Sequence, residues 1–175
     1  LTDEQVLEAA SESQEKLHIA KSKSGIVVKG IHDVAVRFSK CCSPIPGDEI
    51  VGFVTRGRGV TIHRTDCINM INLPEEERAR LIDAEWQREA EIGNKGLYLA
   101  EIIIYGHNRT GLLVDITKIL TERKIDMISV NSRTSRQGMA TITMSFEVPD
   151  KSVLNYLIEK IRQVESVIDI ERTTG

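Results

Sequence analysis

Three cysteines and a histidine are the residues whose type and spacing can do chemistry in this chain. Cys41 and Cys42 are adjacent, and His63 and Cys67 complete the pattern Cys-Cys-x20-His-x3-Cys. Thiolate sulfur and imidazole nitrogen are the donors of closed tetrahedral zinc sites, so four such side chains that converge can hold a structural ion. His63 and Cys67 lie four apart, and one helical turn would bring them to the same side. The spacing is not a familiar finger pattern, and neighbouring cysteines reach one ion only at the cost of backbone strain. Plainly buried thiols, a reactive nucleophile and a disulfide are the other readings the residue types leave open. An odd count of three fits a disulfide framework poorly. No second histidine stands close enough in sequence to act as a base for a nucleophile. Nothing clearly supplies the open position and general base of a catalytic zinc.

The surroundings of these residues are stiff and basic. Pro44 and Pro46 fix the chain after the thiols and Gly47 allows a turn. Asp48 and Asp66 either orient His63 from behind or cap turns, with the cap reading favoured for Asp48. Residues 21–64 carry eight Lys/Arg against three Asp/Glu, while residues 1–20 and 65–96 are each net acidic. The basic residues around the motif are Lys29, Arg37, Lys40, Arg56, Arg58 and Arg64. Arginines on the glycine-rich stretch Arg56-Gly57-Arg58-Gly59 suit phosphate backbones, which a guanidinium binds bidentately. A solvated charged surface is the plainer alternative.

An α+β protein is expected to position them. The polar segment 1–25 reads as a helical linker. From Ile26 to Gln87 short β-branched runs (GIVVKG, DVAVRF, EIVGFVT, GVTIH) alternate with turns, the last two joined by the Arg56–Gly59 hairpin loop. INMINL and PEEERARL read as helix starts and LIDAEW as a returning strand, which makes a small cysteine-containing α+β domain over 26–87. Residues 88–96 read as a second linker. Over 97–175 the order is strand LYLAEIIIYG, amphipathic helix Leu112–Arg123, strands IDMISVNSRT and MATITMSFEV joined by SRQG, helix SVLNYLIEKIRQV with Asp150 as N-cap, and strand SVIDIER. That order is the βαββαβ, ferredoxin-like motif. Gly111, in the first strand-to-helix turn, would let backbone approach closely, and the free N–H groups there favour an anion such as an amino-acid carboxylate; plain helix–strand packing is the alternative. No apolar run approaches the ~20 residues of a membrane span. The chain opens on Leu1 without a signal peptide and reads as a piece of a longer, cytoplasmic protein.

The stretch EIIIYGHNRTGLLVDITKILTERKIDMISV resembles an ACT domain through its N-R-x-G-L-L turn. The resemblance implies amino-acid binding near Asn108, Arg109, Gly111, Leu112 and Leu113, with branched-chain amino acids the first class to name, and a homodimer formed through this domain. The string CC-x-PIPGD … GRG … HR-x-DC followed by an ACT domain resembles the C-terminal regulatory half of the RelA/SpoT family, the stringent-response enzymes that make and often degrade (p)ppGpp. It implies a zinc-finger or ribosome-intersubunit domain with a structural zinc on Cys41, Cys42, His63 and Cys67. The synthetase, hydrolase and TGS parts of such enzymes lie outside this chain, so no catalytic residues are expected in it.

The function expected is control of a GTP pyrophosphokinase or (p)ppGpp hydrolase through binding to the ribosome and deacylated tRNA. Lys40, Arg56, Arg58 and Arg64 would contact RNA, and the thiols with His63 would hold that loop rigid. The alternative is a dimeric ACT sensor of a branched-chain amino acid without direct RNA contact.

Overall fold

The structure, a computed structural model, describes residues 25–29, 34–57, 59–87 and 96–174. The expected linkers over 1–25 and 88–96 therefore fall almost wholly outside the described residues, as does Arg58. Among the described residues no helix is long and apolar enough to cross a membrane.

The first unit is built from two small sheets. Strand β1 (Ile26–Val28) pairs antiparallel with β6 (Ala84–Trp86). A four-stranded sheet runs β2 (Val36–Phe38), β4 (Gly59–Arg64), β3 (Ile50–Thr55) and β5 (Leu81–Ile82), with β2 and β4 parallel. Three β-branched residues, Ile26, Val60 and Ile62, make a thin core with Ala84, edged by half-buried Val36, Phe38 and Trp86. Gly59 takes φ +82°, and a Cβ there would run into the Ala35 carbonyl, so the β3–β4 hairpin admits only glycine at that point. Two expectations are refined. LIDAEW breaks at Asp83 into strands of two different sheets, and PEEERAR forms a 3-10 helix (Glu75–Arg80). The Arg80 side chain secures that turn by donating to the Val54 carbonyl at 2.9 Å. Helix α1 (Ile68–Ile71) is one turn long.

The second unit is α+β with the order expected from the sequence. Strands β7 (Tyr98–His107), β8 (Met127–Thr134), β9 (Met139–Val148) and β10 (Val167–Arg172) form one antiparallel sheet in the order β10-β7-β9-β8. Helices α2 (Leu112–Glu122) and α3 (Lys151–Arg162) cover one face. Alternate β7 residues Ala100, Ile102 and Ile104 meet Leu112, Ile116 and Leu120 of α2 and Leu154, Leu157 and Ile161 of α3 in a continuous core. Asp150 caps α3, its side chain accepting from the Val153 amide at 3.1 Å.

The PIPGD stretch joins the two units. Ile45 is fully buried and belongs to the core of the βαββαβ unit. The Pro46 carbonyl accepts from the Lys151 amide at 2.8 Å, and a Cβ on Gly47 would come within 2.8 Å of the Lys151 Cβ. Asp48 makes a bidentate ion pair with Arg172, at 2.6 and 2.9 Å. Phe38, Trp86 and Tyr98 pack ring against ring across the same seam, and the Trp86 indole donates to the Asp48 carbonyl at 3.0 Å.

Candidate metal centre

Three short segments bring the four donors together. After β2 the chain turns over Ser39–Ser43, the turn closed by the Ser43 amide on the Ser39 carbonyl and tied to β4 by the Ser39 amide on the Ile62 carbonyl. Cys41 and Cys42 sit in this turn, and Ser43 after them adopts φ +45°, a left-handed conformation that is strained for a residue other than glycine. His63 lies next to the end of β4. Cys67 follows across a tight turn, with its amide on the Arg64 carbonyl at 3.1 Å, and precedes α1. The helical turn expected for His63 and Cys67 is thus a strand end and a reverse turn, because Thr61, Ile62 and His63 are engaged in the sheet.

The donor atoms of Cys41, Cys42, His63 and Cys67 all lie within 4.8 Å of one another. Cys41 Sγ stands 3.4 Å from His63 Nδ1 and 3.4 Å from Cys67 Sγ, and Cys42 Sγ stands 3.9 Å from Nδ1. A tetrahedral zinc with ordinary bond lengths separates two sulfurs by about 3.8 Å and sulfur from nitrogen by about 3.6 Å. The residues fit such an ion. The Ser39 hydroxyl lies 2.7 Å from Cys41 Sγ, and the Arg64 amide donates to Cys42 Sγ at 3.3 Å. Both contacts support a thiolate.

Without a cation the same site is electrostatically poor. Burial pushes the Cys42 thiol up to about 12 and raises Cys67 as well. At Cys41 burial also opposes ionisation, but hydrogen bonds led by Ser39 outweigh it and lower the thiol below its ordinary value. Burial lowers His63, which keeps its imidazole neutral and able to donate a lone pair. A divalent cation at the centre removes the penalty on the thiolates.

Neither aspartate orients His63. Asp66 accepts two bonds from the Arg64 guanidinium, at 2.8 and 2.9 Å, and Asp48 caps the Ile45 amide at 2.9 Å besides pairing with Arg172. Arg64 is itself a correction. Expected to face RNA, it is 3% exposed, and its guanidinium also donates to the Cys42 and Thr173 carbonyls. Lys40, beside the cluster, and Arg56, at the hairpin tip, are exposed, as are Lys29 and Arg37. Lys29 pairs with Glu85 at 3.3 Å. The cluster anchors the base of the β3–β4 hairpin. The tip carrying Arg56 stands at the other end of β4, about 13 Å along the strand.

Comparison with known proteins places two family domains in this chain. The description "RelA/SpoT RIS domain" matches residues 26–87 and "ACT domain" matches residues 94–172. GTP pyrophosphokinase of Streptomyces coelicolor is 38% identical over 89% of this chain and 18% of its own length. GTP pyrophosphokinase of Escherichia coli K12 is 36% identical over 99% of this chain and 23% of its own. The chain belongs to the RelA/SpoT family. It carries the RIS and ACT domains of that family's C-terminal regulatory region. It spans about a fifth of the length of these relatives. The bifunctional (p)ppGpp synthase/hydrolase RelA of Mycobacterium tuberculosis is 37% identical over 86% of the chain and 20% of its own length. Among solved structures, the ACT domain from GTP pyrophosphokinase of Chlorobium tepidum is similar over 44% of this chain and 99% of its own, at 25% identity and a TM-score of 0.40.

In this RelA/SpoT chain the ACT turn is only partly available to a ligand. Gly111 has φ +79°, and a Cβ there would meet nothing nearer than Arg109 Nη1 at 3.9 Å. The glycine therefore serves its left-handed backbone conformation rather than the close approach expected of it. Leu112 is 2% exposed and belongs to the core, which corrects its placement among ligand contacts. Arg109 pairs with Asp115 at 2.8 Å and donates twice to the Glu165 carbonyl, pinning the turn to the chain before β10. Asn108 and Leu113 remain exposed.

The residues that sequence reasoning missed are Ser39, Ile45, Trp86, Arg172 and Thr173. An apolar residue between two prolines was the one available signal, at Ile45. Arg172, which pairs with Asp48, and Thr173, whose carbonyl receives Arg64, lie more than 100 positions from them, beyond the reach of local patterns.

Proposed function

We propose that this regulatory region holds one structural zinc ion on Cys41, Cys42, His63 and Cys67 and couples ribosome and deacylated-tRNA binding to alarmone synthesis and hydrolysis elsewhere in the parent protein. The parent is then a GTP pyrophosphokinase, a (p)ppGpp hydrolase or both, working in the cytoplasm, and this region has no catalytic residue of its own. The observation that carries the reading is the convergence of four donors within 4.8 Å of one another inside a RIS domain. The ion supplies only a fixed tetrahedral crosslink. The protein does the rest: exposed Lys40 and the arginine-bearing hairpin tip offer cations to phosphates, and Arg64 keeps the turn that carries Lys40 in register. Replacing both Arg56 and Arg58 by alanine is expected to weaken co-sedimentation with ribosomes. The slope of log affinity against log salt should flatten by about 0.7–0.9 per lost contact. Unchanged sedimentation at every salt concentration refutes the phosphate role.

The ACT domain supports a second element, a homodimer. Every residue of edge strand β8 is exposed, with Met127 43% and Ile128 54% exposed, and Leu113 and Val114 of α2 are exposed as well. An uncovered apolar edge of this kind is usually paired. A branched-chain amino acid at Asn108 and Leu113 is the alternative function. Calorimetry with valine or isoleucine tests it, and amino-acid binding without ribosome association would overturn the leading reading.

A further inference from the structure

The stretch between Cys42 and Asp48 is held at both ends by different machinery. At one end Cys42 contributes a donor to the metal cluster, and its carbonyl accepts from Arg64 Nη1 at 3.1 Å. The same Nη1 reaches the Thr173 carbonyl, just past β10, at 3.4 Å. The next carbonyl, that of Ser43, accepts from Arg172 at 3.1 Å. Ile45 then enters the ACT core, and the Pro46 carbonyl takes the first amide of α3. That amide has no partner within its own helix, so the bond completes the helix start. Asp48 closes the stretch on Arg172.

We infer that metal occupancy of the cysteine cluster and docking of the ACT domain form one linked equilibrium, transmitted through Cys42–Asp48. Two prolines fix φ in this stretch, and Gly47 is packed against Lys151, so a displacement at Cys42 has little slack in which to dissipate. Both α3 and β10 contact it, so a displacement of either element is felt at this stretch. Linkage is reciprocal: whatever docking contributes to metal affinity, the metal contributes to docking. The RIS and ACT domains thereby become a single relay, in which a change at the ACT domain alters the metal cluster and the reverse.

The inference rests on the metal reading, and its test separates the two. Amide exchange at Lys151 is followed by NMR on the whole chain, loaded with zinc and stripped by chelator, with Ile104 and Ile142 of the ACT core as internal references. Lys151 is expected to exchange at least about tenfold faster without metal while the references stay protected. Zinc affinity is measured by chelator competition for the wild type, Arg172→Lys, Arg172→Gln and, as a distant control, Lys118→Gln. The expected losses are about five- to tenfold for Arg172→Gln, less for Arg172→Lys, and none for the control. Should Arg172→Gln fail to fold, Arg172→Lys and the wild-type exchange data still decide. Equal zinc affinity across the folded variants, or metal-independent exchange at Lys151, overturns the coupling alone. A folded chain that takes up no zinc overturns the metal reading and the coupling with it.

Discussion

Stripping the metal, or replacing Cys42 by serine, is expected to unfold the RIS domain while the ACT core persists. The two domains differ greatly in what else holds them. The ACT core is a continuous layer of buried residues from three strands and two helices, whereas among the described residues the hydrophobic core of the RIS domain is Ile26, Val60, Ile62 and Ala84. A unit of about 60 residues with so little buried apolar surface needs a staple. A structural zinc supplies about 10–16 kcal/mol of apparent binding free energy, far more than a small fold's net stability. Trp86 is the sole tryptophan, stacks on Phe38 in the RIS domain and meets Tyr98 edge-on across the seam, so its emission reports the folding of the RIS domain together with its docking. Chelator should shift that emission to the red at temperatures where the helical circular dichroism of α2 and α3 survives; unchanged emission would contradict the crosslink.

Under conditions where the metal-free RIS domain is still folded, its pH dependence has a definite sign. His63 is lowered by burial, so as pH falls through about 6.5 the unfolded chain takes up a proton that the folded one refuses, and stability is lost. Cys42 is raised from 9.0 to about 12, so as pH rises above 9 the unfolded chain releases a proton that the folded one retains, and stability is lost again. Metal loading removes the alkaline loss, because the bound thiols are already deprotonated, and sharpens the acid one through proton competition for the donors. Urea titrations at pH 5, 7 and 10 with and without zinc read this out.

Asp48→Ala is expected to destabilise the chain by about 3–5 kcal/mol, the cost of leaving one member of a buried ion pair alone. The Asp48 side chain is 3% exposed and that of Arg172 14%, so solvent offers little screening. Arg172 Nε already lacks an acceptor, and the substitution also frees the Ile45 amide. The double variant Asp48→Ala/Arg172→Ala should lose markedly less than the sum of the two single changes. Urea unfolding followed by Trp86 emission measures both, and additive losses would mean the pair is not coupled.

Regular periodicity made the βαββαβ order legible in the sequence: the spacing Leu112, Ile116, Leu120 and the cap at Asp150 needed nothing beyond local pattern. The four donors were legible as residue types, but their geometry was not. His63 and Cys67 suited a helical turn equally well, and only the engagement of β4 with both β2 and β3 makes that stretch a strand. Arg64 shows the limit most clearly. An arginine between a histidine and Thr-Asp reads as a surface cation, yet its guanidinium reaches the Cys42 carbonyl and that of Thr173, more than 100 residues away in sequence. PIPGD read as a stiff turn under an RNA-facing loop for the same reason, since the core that receives Ile45 is assembled from another domain.

The most direct measurement is elemental analysis of the chain purified without chelator. One zinc per folded chain, lost in Cys42→Ser, is the expected result. A stably folded chain with native Trp86 emission and no bound metal would contradict it.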